Sequence, residues 1–136
     1  WINFTYPFFT KNKFVAAPIE IAKKNRRKHK TRYLIINSGN ANAGTGPKGL
    51  SAASEICRSV ASEVGCEFEN VLPFSTGVIG EELDYSLIVK QVPQVLASLT
   101  NEGWENAARA IMTTDTFPKV RSKKLLLEVK QKSMKG

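Results

Sequence analysis

One amphipathic helix, set between two short apolar runs, constrains this chain more than any other feature. Leu50, Ala53, Ile56, Cys57, Val60, Ala61 and Val64 recur at helical spacing, with Glu55, Arg58 and Glu63 on the opposite face. Gly65 comes next as a natural C′ residue, because it turns left-handed at little cost. Ahead of the helix, Tyr33-Leu34-Ile35-Ile36 is an apolar run whose β-branched pair predicts a buried strand. It leads into Asn37-Ser38-Gly39-Asn40-Ala41-Asn42-Ala43-Gly44-Thr45-Gly46-Pro47, a long turn-forming segment. Behind the helix, Val71-Leu72-Pro73-Phe74 predicts a second short strand leading into Ser75-Thr76-Gly77.

The flanks are less regular. Phe8, Phe9, Phe14 and Val15 read as strand material broken by Thr10-Lys11-Asn12-Lys13, and Pro18 limits the adjoining residues to an edge or a strand start. Ile19 to Lys28 suits a short helix. Leu83, Leu87, Ile88 and Val92 predict another, interrupted at Pro93. A third helix is expected from Asn101 to Met112, with Ala107, Ala108, Ile111 and Met112 inward, ended by Thr113-Thr114-Asp115-Thr116 and Pro118. The tail from Val120 to Val129 is strand-like but charged. This order of strands and helices places the chain in the α/β or α+β class, as a single partial domain over residues 1–136 with no internal boundary.

Composition excludes several functions. Hydrophobic residues make up 42% and charged residues 24%, enough for a core without disulfides. Cys57 and Cys66 have neither metal-ligand nor redox spacing, and read as plain thiols in a reducing, cytoplasmic setting. No apolar run approaches the roughly 20 residues that a membrane span needs. The opening Trp1-Ile2-Asn3-Phe4-Thr5-Tyr6-Pro7 resembles no secretion signal and lacks an initiator Met, so the chain reads as one cut from something longer. Of the net charge of +8, seven positive charges fall in one run: Lys23, Lys24, Arg26, Arg27, Lys28, Lys30 and Arg32. A single run ahead of a strand suits a solvated helix end better than a nucleic-acid site, which adds aromatic stacking or a second basic stripe. The later cluster of Arg121, Lys123, Lys124, Lys130, Lys132 and Lys135 is diluted by Leu125-Leu126-Leu127.

The chemistry-bearing residues are few. His29, the one histidine, lies in the basic run, which leaves no base for a serine triad and no set of metal ligands. Two glycine-rich loops succeed the apolar strands, where ligands commonly bind in α/β sheets. In the first, Asn37, Asn40 and Asn42 offer amide donors and acceptors, or else shape a turn. In the second, Ser75-Thr76-Gly77-Val78-Ile79-Gly80, a Thr hydroxyl and a Gly N–H suit one developing oxyanion. Such donors are worth roughly 3 kcal/mol of barrier each. The same residues equally suit a strand-to-helix turn capped by Thr. Thr113-Thr114-Asp115-Thr116 is open in the same way, between a helix end and hydroxyls lining a pocket.

Taken together, three blocks resemble one family. Asn37 to Ala43, Ser75 to Glu81, and Ala107-Ala108-Arg109-Ala110-Ile111-Met112-Thr113-Thr114-Asp115-Thr116 look like the α-chain signatures of glutamate N-acetyltransferase, also called ornithine acetyltransferase. Phe9 to Asn12 and Val15 to Pro18 add to the match, which spans residues 8 to 119. The resemblance implies a layered α/β sandwich, incomplete without a β chain, in a precursor that cuts itself before a threonine and assembles as α2β2. The new N-terminal threonine of β takes acetyl from N2-acetylornithine and passes it to glutamate. Its own α-amine serves as base, so histidine is not needed. No cofactor is implied, although acetyl-CoA serves some members as a donor. By motif, Thr76 and Gly77 are the oxyanion donors and Thr113 a substrate-binding threonine. Lys135, in the terminal Lys135-Gly136, stands for the substrate lysine of the cleavage region, although Gln131-Lys132-Ser133 replaces the family's glycines. This chain alone is then expected to be inactive. The rival readings are a non-catalytic basic module using Lys23 to Arg32, and a related self-cleaving aminopeptidase.

Overall fold

The computed structural model describes residues 9–28 and 30–121. In chain order these form α1 (Ala17–Lys28), β1 (Tyr33–Asn40), α2 (Gly46–Val64), a 3-10 turn (Phe68–Asn70), β2 (Val71–Val78), α3 (Tyr85–Ala97) and α4 (Trp104–Ala110). β1 and β2 pair in parallel, Tyr33 opposite Val71 and Gly39 opposite Gly77. A parallel pair needs a crossover, and α2 provides it. The α/β class is a direct consequence of this β1–α2–β2 unit.

Burial explains the alternation along β1. Tyr33, Ile35 and Asn37 are half-buried, whereas Leu34, Ile36 and Ser38 are exposed. Tyr33 and Ile35 pack against a core made by Ile21 of α1, Ala53, Cys57, Val60 and Ala61 of α2, Val71 of β2 and Val92 of α3. Helices α1 to α3 therefore cover one face of the pair. The other face meets α4 through Ser38, whose hydroxyl donates to the Ala110 carbonyl at 2.7 Å.

α2 matches its predicted pattern and ends as expected, with Gly65 left-handed at φ 62°. It starts earlier than its apolar stripe, at Gly46, with Pro47 in the first turn, where a missing N–H costs nothing. The same rule corrects the reading of Pro18. That proline sits in the first turn of α1 and not at a strand start, because α1 begins at Ala17. Phe9, Phe14 and Val15 form no strand, and Phe14 is exposed; Phe8 lies outside the described residues. The basic run begins at the end of α1, with Lys24, Arg26 and Arg27 exposed where the helix dipole favours cations, and Lys30 and Arg32 follow the helix. Lys23 lies 5.6 Å from the Phe9 ring centre.

Two further expectations are corrected. α3 continues through Pro93 to Ala97, because Val92 and Leu96 pack on the core on either side of the proline and hold the helix together. α4 is shorter than predicted and fully buries none of its residues; of the four expected inward, Ala108 and Met112 are half-buried while Ala107 and Ile111 are exposed, since no described residue covers them. The strand expected from Val120 to Val129 lies almost wholly outside the described residues.

Two buried asparagines lock the elements together. Asn25 of α1 donates to the carbonyls of Phe68 and Val71 at 3.2 and 2.9 Å, fixing the start of β2. Asn42, with φ +46°, donates to the Gly49 carbonyl at 2.9 Å and accepts from the Thr45 hydroxyl at 2.8 Å. Its own carbonyl accepts the Ala17 N–H at 3.2 Å, so one residue ties the starts of α1 and α2.

Asn42→Ala removes one buried and one part-buried hydrogen bond and places a methyl-bearing residue in left-handed backbone. It should destabilise the protein by about 2–4 kcal/mol, and an unchanged urea midpoint would contradict the lock. Burial also pushes the Cys57 thiol up to about 12, against its ordinary 9.0. Cys57 should thus resist a thiol reagent at pH 8 in the folded protein and react on unfolding; rapid native labelling would count against this packing. The neutral thiol favours folding below pH 9, and that contribution fades as pH rises toward 12.

Candidate functional site

The site grows from the carboxyl ends of the two strands. The sequence predicts a loop at Ser75, Thr76 and Gly77, but β2 extends through them to Val78. The pairing holds them: Asn37 lies opposite Ser75, Ser38 opposite Thr76, and Gly39 opposite Gly77. At Gly77 the backbone takes φ +133°, and a Cβ there would lie 2.2 Å from the Gly39 carbonyl carbon. No side chain fits such an approach. Beyond the ladder the chains stay laced. The Ala41 N–H donates to the Val78 carbonyl and the Gly80 N–H to the Ala43 carbonyl, both at 2.8 Å.

The asparagine segment is spent on this lacing. The Ser75 hydroxyl donates to Asn37 Oδ1 at 2.6 Å, while Asn37 Nδ2 donates to the Asn40 carbonyl at 2.9 Å. Asn40 Oδ1 accepts the Asn42 N–H at 2.7 Å, and its Nδ2 donates to the Glu81 carbonyl at 3.2 Å. With Asn42 committed to Gly49 and Thr45, the three amides shape backbone. Of the two readings open for this segment, the turn-shaping one describes their present hydrogen bonds.

Thr76 differs. Its side chain faces an open cavity of about 380 Å³, together with Ile36 and Phe74 of the strands. Ile111 and Met112, just past α4, form another part of the lining, and Asp115 and Lys119 supply its charges. Among the described residues nothing hydrogen-bonds the Thr76 hydroxyl, which leaves it free to donate. Gly77 adjoins Thr76 but does not line the cavity. Thr113 is exposed and also outside the lining. The pocket is therefore reached by its neighbours Met112 and Asp115, and not by the threonine hydroxyls that the sequence suggests. Lys135 lies outside the described residues.

The sequence marks Asp115 only as a member of the Thr113 to Thr116 block, with no role of its own, and does not mark Lys119; their opposite charges four residues apart are the one signal the pair offers. Lys119 Nζ donates to Asp115 Oδ1. That hydrogen bond, the ammonium charge and the Thr113 N–H hold the Asp115 carboxyl below its usual range. Among the described residues no cluster of His, Cys, Asp and Glu is able to hold a metal ion. No described helix is long and apolar enough to cross a membrane.

Comparison with known proteins gives this geometry a context. The ArgJ family profile matches residues 4–136. The "Arginine biosynthesis bifunctional protein ArgJ" of Methylococcus capsulatus is 52% identical over 111 residues, which are 82% of this chain and 27% of that protein. Its counterpart in Psychrobacter arcticus is 47% identical over 116 residues, 85% of this chain and 28% of that protein. The chain thus spans little more than a quarter of the length of these relatives. Among solved structures, ArgJ from Bacillus halodurans aligns with a TM-score of 0.75 at 34% identity, covering 83% of this chain and 60% of that one. Ornithine acetyltransferase of Mycobacterium tuberculosis, solved with ornithine, aligns with a TM-score of 0.79 at 30% identity, covering 86% of this chain and 65% of that one. With its parallel strands, laced loops and nearly full-length profile match, the chain belongs to the ArgJ family.

Proposed function

We propose that this chain is the α-side of an acetyltransferase that moves acetyl from N2-acetylornithine to glutamate, with Thr76 and Gly77 as its oxyanion donors. The observation that carries the reading is the Thr76 hydroxyl, unpartnered among the described residues, facing a cavity at the end of a pinned strand. Preorganised donors of this kind need no rearrangement when charge develops.

The nucleophile is the N-terminal threonine of a β chain, in an α2β2 assembly located in the cytoplasm. Its hydroxyl attacks the acetyl carbonyl while its own α-amine takes the proton. The resulting oxyanion lies against Thr76 Oγ1–H and the Gly77 N–H. The carbon–nitrogen bond then breaks, and ornithine leaves with the proton. Glutamate's amine attacks the acetyl ester in turn, so the threonine alcohol is restored and N-acetylglutamate departs. Acetyl-CoA fits the same first step as an alternative donor. Exposed Leu34, Ile36, Val78 and Ile79 support an unfinished layer beside the cavity, against which the β chain packs. Thr113 and Lys135 are proposed as substrate contacts that the assembled site brings in.

The chain alone should show no acetyl transfer, and co-expression with a family β chain should restore it. In the restored complex, Thr76→Ala should lower kcat by roughly a hundredfold while Thr76→Ser keeps most of it. A complex indifferent to Thr76→Ala has its oxyanion donor elsewhere. Gly77→Ala tests a different link. A methyl in left-handed backbone against the Gly39 carbonyl should cost at least about 2 kcal/mol, read as a lowered melting temperature of the complex.

A further inference from the structure

We propose that Asp115 and Lys119 are the substrate-discriminating pair of the Thr76 cavity. Asp115 takes the side-chain ammonium of the ornithine-type donor, and Lys119 takes the side-chain carboxylate of the glutamate-type acceptor. The inference rests on the acetyl-transfer reading and deepens it.

That reaction places an awkward demand on its binding site. Two substrates visit the same acyl group in turn, and their side chains carry charges of opposite sign. A fixed cation favours the acceptor and repels the donor; a fixed anion does the reverse. A mobile pair avoids the conflict. Empty, its two charges neutralise each other. Occupied, it turns one charge toward whichever substrate is present.

The described residues meet these requirements. Asp115 and Lys119 line the same cavity as Thr76. Their side chains are 38% and 62% exposed, so both are accessible to a substrate that competes for either partner. The segment that carries them is not helical, and Pro118 stands between them, so helical spacing does not force the pairing. Lys119 Nζ also lies 5.3 Å from the Phe117 ring centre, a second resting place when Asp115 is engaged elsewhere. Of the remaining lining, Ile36, Phe74, Ala108, Ile111 and Met112 suit the methylene stem that both substrates share, and Ser75 adds one polar residue. An ordinary surface ion pair, by contrast, contributes little to stability and has no reason to sort substrates.

Kinetics on the chain assembled with a family β chain separates the two. In a double-displacement reaction, kcat/KM for each substrate reports its own half-reaction alone. Asp115→Asn should lower kcat/KM for N2-acetylornithine about tenfold and change that for glutamate less than about twofold. Lys119→Gln should do the reverse. Calorimetric titration gives a second readout, in which Asp115→Asn weakens ornithine binding and leaves glutamate binding intact. Equal losses for both substrates, or no loss for either, overturn the pair. A wild-type complex that transfers no acetyl overturns instead the functional reading beneath it.

Discussion

The contact on which the site depends is the approach of the β2 backbone to β1 at Gly77 and Gly39. The two strands run so close there that a single added carbon at Gly77 collides with the Gly39 carbonyl group. Such contact is reached only if residue 77 is glycine and the strands are held in one register; Gly39 has open space beside it and is favoured instead by its φ of +95°. The hydrogen bond from Ser75 to Asn37 sets that register from the side chains. The bonds at Val78 and Gly80 keep it once the ladder ends. Thr76, between Ser75 and Gly77, has little freedom left. Its orientation toward the cavity is a consequence of its neighbours' commitments and owes nothing to a bond of its own.

Legibility in the sequence tracks the range of the forces involved. The α2 face is readable because seven apolar residues at helical spacing have one means of burial together. The ends of α2 and α1 are harder, since Pro47 and Pro18 act locally in a way that fits either a turn or a first helical turn. The extents of β1 and β2 are underestimated for a different reason. Asn37 to Asn40 is poor strand material by composition, and Gly77 interrupts the strand-favouring Thr76 and Val78, so the pairing of the two segments is what extends both strands. The continuation of α3 past Pro93 likewise depends on Val92 and Leu96 finding a core that no local pattern reveals.

The candidate site divides in the same way. Thr76 and Gly77 stand out by local chemistry and by resemblance, and the fold places them together at the strand end. The asparagines are visible as a motif, but their service to the backbone needs partners distant in sequence, such as Ser75 and Glu81. Asp115 is visible only as part of the Thr113 to Thr116 block, and Lys119 is hidden by ordinariness. An acid and a base four residues apart are common on any surface, and only the fold reveals that the pair lines the same cavity as Thr76.

The division of labour then comes from electrostatics. The described residues offer no cluster fit for a metal and no histidine beside the cavity, and Cys57 is held neutral by burial. What the cavity does hold is donors and charges: the Thr76 hydroxyl, the Lys119 ammonium and the Asp115 carboxylate. These groups stabilise or orient charge and do not create it. Under the proposed acetyl transfer this arrangement fits, because the group that makes an oxyanion and the group that holds it need opposite properties. A nucleophile must move through bonding, protonation and release, whereas an oxyanion donor such as the proposed Thr76 hydroxyl works best when it cannot move at all. A strand end fixed by a glycine contact, with Asn42 locking the helix starts behind it, supplies the immobile half.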